Sequence, residues 1–394
     1  MRHPHPVIFL FLILPFGVVS GNLTVTLAYT LSQAGVTTTL IAELIALSYI
    51  PHTWKFLWAP VCDTTLSLRK WYLLAAVTSA VGLLIANAMP ATTASMPLLC
   101  VVVVVTNVAV TFLGMAVEAL MAHGTPGQLK GRAAGWFQAG NLGGAGVGGG
   151  AGLWIVEQTG EAWIGGAVMA VVCLLCCIGL WFVNVPQIQR SAHGIVKNSI
   201  EAFRDLWLVA RSRIGYLGLL ICFLPIGSGA ASNLWSAIAG DWQASAEAVA
   251  PANGLLTGVI SAFGCIVGGS LCDRMDRKLA YGLFGLLLAA CAVAMALAPR
   301  TQAMYITFVL IYAFILGMSY AGFSAVVLEA IGGGAAATKY SMFASLSNAP
   351  IAYMTLILGW AHTRWDAAAM LYYEAAFGVL GILVFAIAAR SSRR

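Results

Sequence analysis

The amino-acid sequence predicts an all-α membrane protein with twelve transmembrane helices. Its composition, its long apolar segments and a repeat in its charged residues support this fold class. Of the 394 residues, 60% are hydrophobic and only 9% are charged, with a mean hydropathy of +0.89. Because a soluble domain has about 25% charged residues, these charges are too few to cover a water-exposed surface. Most of the chain must therefore contact lipid or other buried helices.

The long apolar segments predict where the helices lie. A helix of about 20 apolar residues crosses a bilayer, whereas an isolated strand cannot satisfy its backbone hydrogen bonds in lipid. The twelve predicted spans are residues 7–30, 37–60, 71–90, 97–120, 133–156, 162–184, 214–238, 252–271, 279–298, 302–328, 340–362 and 367–389.

The positive charges predict the orientation of the chain. With the N-terminus in the cytoplasm, 17 of the 20 Lys and Arg residues fall in cytoplasmic segments, as the positive-inside rule requires. We therefore expect a multi-pass protein of the bacterial inner membrane with both termini in the cytoplasm. The net charge of +6 reflects this topology, so it gives no reason to expect a nucleic-acid partner.

The longest cytoplasmic connection divides the predicted spans into two groups of six. This division predicts an N-terminal six-helix bundle at 1–184, a linker at 185–213 and a C-terminal six-helix bundle at 214–394. The linker stretch IVKNSIEAFRDLWLVARSR places its apolar side chains largely on one helix face and its charged side chains largely on another. It therefore predicts an amphipathic helix on the inner membrane surface.

The two predicted halves repeat one pattern of charged residues. The acids Asp63 and Glu118 are 55 residues apart, and the acids Asp273 and Glu329 are 56 residues apart. Basic residues follow each acid in both halves. Because charges are rare in this chain, the repeat predicts two pseudo-symmetric bundles in parallel arrangement. This arrangement resembles the major facilitator fold.

A stretch between the eighth and ninth spans strengthens the resemblance. The sequence GGSLCDRMDRK at 268–278 resembles the loop motif G-x-x-x-D-R-x-x-R-K of the major facilitator superfamily. The resemblance implies a cytoplasmic charge network that locks the outward-facing state. The candidate gating residues are Asp63, Arg69, Lys70, Glu118, Arg132, Asp273, Arg274, Arg277, Lys278, Glu329 and Lys339. The alternative is that these residues are only topogenic charges at helix ends.

The stretch GNLGGAGVGGGAG at 140–152 contains eight glycines and includes the dinucleotide-binding pattern G-x-G-x-x-G. It lies within an uncharged membrane span, and no acidic residue follows it in a plausible strand, so we expect no nucleotide and no other cofactor. Glycines spaced by four instead predict a helix face that a second helix approaches closely, and we expect the ridge in the fifth span to meet the eighth span. The candidate packing residues are Gly140, Gly144, Gly148, Gly152, Gly254, Gly258, Gly264 and Gly268.

Lys55 is a charged residue inside the second span, about 12 Å along the helix from Asp63. Either its long side chain reaches the inner interface, or it forms an anion or proton site that lines a cavity. Its sequence context P-x-x-x-K-F-L-W-A-P-x-x-D at 51–63 resembles the second helix of AmpG muropeptide permeases and the related acetyl-CoA transporters. The resemblance implies proton-driven import of anhydromuropeptides, siderophores or other bulky anionic solutes. The loop after Asp63 departs from the family pattern because no basic residue follows Asp63 directly.

Further polar residues lie within the predicted spans. Glu43 and Glu374 are candidates for carrying a proton, or they form hydrogen bonds between helices. Amides and aromatic rings in the spans that line the central cavity of the major facilitator fold suit a sugar or peptide-like ligand, although each also serves as a contact between helices. These candidates are Asn22, Tyr29, Asn107, Asn233, Trp235, Tyr312, Tyr320 and Asn348.

The sequence therefore predicts a secondary active transporter that imports a bulky polar or anionic solute with protons by alternating access. The alternative is a proton-driven exporter of drugs or metabolites with the same fold. We expect no enzymatic activity, because the histidines and carboxylates form no aqueous cluster by their spacing, and no metal site. The expected partners are a small-molecule solute, protons and the lipid bilayer, and we expect the protein to act as a monomer.

Overall fold

The structure is a computed structural model that describes residues 5–183, 200, 204, 207–208, 211–245, 249, 251–331 and 336–391. All regular structure in these residues is helical, which confirms the predicted all-α class. The linker at 185–213, with its predicted amphipathic helix, lies mostly outside the described residues.

The helices are numbered α1 to α12 in chain order. They are α1 Ile8–Gln33, α2 in three pieces (Thr38–Trp54, Lys55–Leu57, Ala59–Thr64), α3 Leu68–Ala88, α4 Thr93–Gly124, α5 in three pieces (Lys130–Gly146, Val147–Ala151, Gly152–Thr159), α6 Ala162–Phe182, α7 in three pieces (Arg213–Phe223, Ala230–Leu234, Trp235–Ile238), α8 Ala252–Cys272, α9 Arg277–Leu297, α10 Gln302–Ala330, α11 Ala336–Arg364 and α12 Ala367–Arg390.

Nine helices among the described residues are long and apolar enough to cross a bilayer. The other three, α2, α5 and α7, match predicted spans but are interrupted or distorted. A twelve-helix membrane fold is consistent with this set.

The predicted continuous span 214–238 is wrong in one respect, because α7 is broken between Phe223 and Ala230. Pro225 has no backbone N–H to donate within a helix. Gly227 and Gly229 then adopt φ angles of 58° and 71°, which side-chain-bearing residues rarely adopt. Hydropathy does not register these backbone requirements, so it predicts one helix where the structure has separate pieces.

The contacts divide the chain into two compact units. Unit 1 contains Met1–Pro126, Gly140–Leu206 and Gly333–Ser345, and unit 2 contains Gly127–Ala139, Trp207–Gly332 and Leu346–Arg394. In unit 1, α3 packs against α4 and α6, and α1 packs against α4. In unit 2, α8 packs against α10, and α9 packs against α10 and α12. The predicted boundaries at 184 and 214 stay a prediction.

The glycine ridge of α5 packs within unit 1 against α1. A Cβ atom on Gly140 would lie 2.2 Å from the Leu10 carbonyl oxygen, and one on Gly148 would lie 2.1 Å from the Val18 carbonyl oxygen. The absence of side chains thus brings the two backbones together. The α5 helix does meet α8, but through Gly131 and Gly135, where a Cβ atom would lie 2.5 Å from the carbonyl oxygens of Gly269 and Cys265. The expectation is therefore wrong in the glycines that it names for this contact.

The glycines of α8 also have a partner inside their own unit. A Cβ atom on Gly264 would lie 2.0 Å from the Phe314 carbonyl oxygen of α10, and one on Gly268 would lie 2.6 Å from the Met318 Cα atom. Gly254 of the same helix differs, because nothing lies within 4 Å of a Cβ atom placed on it. The spacing of small residues indicates a close approach, but it does not identify the neighbouring helix.

Candidate functional site

A buried ion pair joins α2 to α4 in unit 1. The Lys55 Nζ atom lies 2.8 Å from Glu118 Oε1, and the Ser341 hydroxyl of α11 donates to Glu118 Oε2 at 3.1 Å. Lys55 is 6% exposed and Glu118 is 3% exposed. Lys55 therefore does not reach for the interface, which removes one of the two alternatives that its sequence leaves open.

The partner of Glu118 differs from the partner of its counterpart in unit 2. Glu329 of α10 contacts Arg277 at 3.1 Å and Lys278 at 3.0 Å. These cations follow Asp273 by four and five residues, whereas Ser67 and Leu68 occupy the same positions after Asp63.

The next basic residue after Asp63 is already engaged. Arg69 donates to the carbonyl oxygen of Leu180 at 3.0 Å. The loop after α2 thus brings no cation to Glu118, and the cation comes from Lys55 within α2. The loop after Asp63 lacks the basic residues that bind the corresponding glutamate in unit 2, and Lys55 of α2 supplies the positive charge in their place.

Asp63 and Asp273 each bind the first turn of a helix. Asp63 accepts hydrogen bonds from the Ala337 amide at 3.2 Å and from the Thr338 amide at 2.9 Å, at the start of α11 in unit 1. Asp273 accepts from the Gly131 amide at 2.7 Å and from Arg132 Nε at 2.9 Å, at the start of α5 in unit 2. A carboxylate at a helix N-terminus satisfies unpaired amides and interacts favourably with the helix dipole. The two repeated aspartates, unlike the two glutamates, therefore have similar contacts in both units.

We expect Asp273→Ala to lower the free energy of unfolding by about 1.5–3 kcal/mol, because hydrogen bonds to a charged group have this value. Thermal unfolding of the detergent-solubilised protein measures the change. The control is Asp241→Ala in the same unit, where an exposed carboxylate contacts His362 at 2.9 Å and contributes little. Equal losses in the two variants would contradict the role of Asp273.

Unit 2 contains a second buried carboxyl group. Glu374 of α12 is 5% exposed, and its Oε1 atom accepts hydrogen bonds from the Tyr312 hydroxyl at 2.5 Å and from the Ala231 amide at 3.3 Å. The Trp235 ring of α7 packs edge-on against the Tyr312 ring, with centroids 5.0 Å apart. This cluster joins α12 and α10 to the pieces of α7 that follow its break.

A cavity of about 50 Å³ lies in unit 2 beside the break in α7. Its polar lining includes Ser228, Ser319, Tyr320 and Ser347. Of these residues the sequence predicts only Tyr320, since isolated serines in apolar spans give no distinctive pattern. Most of the remaining lining is apolar.

The other predicted binding residues form separate contacts within their own units. Asn22 accepts a hydrogen bond from Asn87 at 2.9 Å, Asn107 bonds His52 at 2.9 Å, and Asn233 donates to Thr355 at 3.0 Å. Each of these bonds connects helices of one unit. The exposed members of the predicted set are Tyr29, Glu43, Asn233 and Asn348.

The remaining predicted gating charges fall into two groups. Lys70 and Arg274 are exposed, whereas Lys339 is 2% exposed. Within the described ranges, no three His, Cys, Asp or Glu side chains are grouped so that they could hold a metal ion.

Comparisons with known proteins agree with this architecture. A family model described as Major Facilitator Superfamily matches residues 7–355. No curated protein sequence matches the chain. The fold is similar to those of many solved structures. Three of them, which share low sequence identity with this chain, support a likeness of fold alone.

The first is the proton:xylose symporter XylE, with a TM-score of 0.70, 14% identity and coverage of 96% of this chain and 94% of that one. The second is the human organic anion transporter MFSD10, with a TM-score of 0.71, 16% identity and coverage of 96% and 98%. The third is the E. coli fucose:proton symporter FucP, with a TM-score of 0.72, 15% identity and coverage of 98% of both chains.

Proposed function

Because the chain belongs to the Major Facilitator Superfamily, we propose that it imports a bulky polar or anionic solute together with protons. It is a multi-pass membrane transporter of a small molecule and not an enzyme. The proposal adds alternating access between six-helix bundles at 1–184 and 214–394, a location in the bacterial inner membrane with cytoplasmic termini, and action as a monomer.

The buried Lys55–Glu118 pair is the observation that carries this proposal. Removing two charges from water costs several kcal/mol per ion, so a buried ion pair contributes little net stability. Its presence within the membrane therefore favours a functional role. In that role, the Lys55 ammonium supplies the positive charge that an anionic group of the solute contacts.

Two similarities support the class of solute and the coupling ion. The helix containing Lys55 resembles that of AmpG muropeptide permeases, which favours anhydromuropeptides or siderophores as solutes. MFSD10 is an organic anion transporter by name, and XylE and FucP are proton symporters by name. Proton-coupled import of an anionic solute is consistent with both similarities.

The test uses proteoliposomes loaded with a pH-sensitive dye, to which anhydromuropeptides, ferric siderophores and acyl-CoA compounds are added in turn. We expect one class to acidify the interior. The double variant Lys55→Met/Glu118→Gln contains neither buried charge, and its uptake should fall about thirty-fold or more, since a lost buried charge contact costs ~2 kcal/mol or more.

The matched control is Glu157→Gln, because Glu157 is exposed in α5 and should transport like the wild type. Acidification by none of the three classes would contradict proton-coupled import of these solutes. Solute leaving the cytoplasmic side when a proton gradient is applied would establish the alternative, an exporter of the same fold.

A further inference from the structure

The two buried carboxyl groups differ in their neighbours. Glu118 has the Lys55 ammonium at 2.8 Å, so its negative charge is compensated. Glu374 forms no ion pair with any Lys, Arg or His of the described residues. An ionised carboxylate without a cation is far more costly in an apolar interior than a neutral carboxyl group. A cation therefore compensates the charge of a Glu118 carboxylate, whereas the surroundings of Glu374 favour a neutral carboxyl group.

The hydrogen bonds of Glu374 show which oxygen binds the proton. Both donors, the Tyr312 hydroxyl and the Ala231 amide, point to Oε1. The Oε2 atom is buried and has no hydrogen-bond partner among the described residues. In a carboxylate, Oε2 would share the negative charge without any donor. In the neutral acid, Oε1 is the carbonyl oxygen that accepts both bonds, and Oε2 has the hydrogen.

We propose that Glu374 is the residue that binds the coupled proton, on Oε2, and that Tyr312 and the Ala231 amide position it. This inference rests on the proposed proton-coupled transport and specifies its coupling site. The titratable groups that face Glu374 are the Cys291 thiol of α9 and the Tyr312 hydroxyl of α10. From α7 it meets a backbone amide, and neither neighbouring side chain supplies a positive charge.

The contact with Ala231 connects the proton to the break in α7. Ala231 lies in the turn Ala230–Leu234, which resumes α7 directly after Gly229. Hydrogen bonds to a charged acceptor are roughly twice as strong as bonds to a neutral one. Loss of the proton thus strengthens the bond between α12 and this turn of α7, and its return weakens the bond. The presence or absence of the proton on Glu374 in this way changes how strongly α12 holds the broken helix α7.

Infrared difference spectroscopy of the reconstituted protein tests the site without any solute. At neutral pH the wild type should show the carbonyl stretching band of a protonated carboxyl group, with a shift to lower frequency in D₂O. Glu374→Gln should lack this band, and the exposed control Glu157→Gln should retain it. Tyr312→Phe should shift the band to higher frequency, because the carbonyl oxygen loses a donor. An unchanged band in Glu374→Gln would overturn the proposal.

A transport measurement separates this inference from the proposed function. With the solute that acidifies wild-type proteoliposomes, Glu374→Gln should give background acidification but should still exchange labelled solute across the membrane. Wild-type acidification by Glu374→Gln would refute the coupling role. If no solute acidifies the wild type, the proposed function fails for these solutes, while the infrared band still decides whether Glu374 binds a proton.

Discussion

Lys55→Met is expected to destabilise the protein by about 3–5 kcal/mol, because it leaves the Glu118 carboxylate buried without its cation. Methionine fills much of the space of the lysine side chain, so the loss reflects the charge more than a cavity. Glu118 keeps the Ser341 hydroxyl as a donor, which does not replace an ammonium. Unfolding followed by tryptophan fluorescence in detergent measures the change in the free energy of unfolding.

A double-mutant cycle isolates the charge effect. Glu118→Gln should also destabilise the protein, because it leaves the Lys55 ammonium unpaired. The double variant Lys55→Met/Glu118→Gln should recover most of the loss, since no unpaired charge remains. A change within about 0.5 kcal/mol of wild type for Lys55→Met, the usual range of a surface substitution, would show that water reaches the pair. The recovered double variant is also the folded protein that the uptake assay requires.

The charge pattern of the sequence predicts the acids well and their partners less well. Repeated spacing identifies Asp63 and Asp273, and both bind the first turn of a helix in the structure. The partner of Glu118 depends on the loop after Asp63 and on the side-chain direction of Lys55. The spacing shows that the basic residues lie further from Asp63 than from Asp273. It does not show that Lys55 contacts Glu118, because a contact between residues 63 positions apart is a property of packing.

The break in α7 shows a similar limit. Hydropathy correctly indicates an apolar segment at 214–238, but the backbone there follows Pro225 and two glycines of positive φ. A proline followed by G-x-G within an apolar run is a signal that predicts a break when it is weighed together with hydropathy. The sequence names Glu374, Tyr312 and Trp235 as separate candidates. Their convergence follows from the break, which brings the Ala231 amide to α12.

The second large effect is expected in the glycine contacts between α1 and α5. Gly148→Ala should lower the free energy of unfolding by about 1–3 kcal/mol or more, as overpacking does. Its new Cβ atom would lie 2.1 Å from the Val18 carbonyl oxygen. Because the Val18 oxygen belongs to the backbone, a change of side-chain rotamer cannot relieve the clash. The helices α1 and α5 must therefore move apart. The same fluorescence-detected unfolding measures the change.

Gly254→Ala is the matched control, because both glycines lie in a π-helical turn, Gly148 in Val147–Ala151 and Gly254 in Ala252–Leu256. Nothing lies within 4 Å of a Cβ atom on Gly254, so alanine should leave stability within about 0.5 kcal/mol or raise it, since alanine favours a helix by up to ~1 kcal/mol over glycine. Opposite signs for the two variants would show that the close approach of α1, rather than the flexibility of glycine, explains the run in α5. Similar losses in both variants would instead assign the effect to the distorted turns themselves.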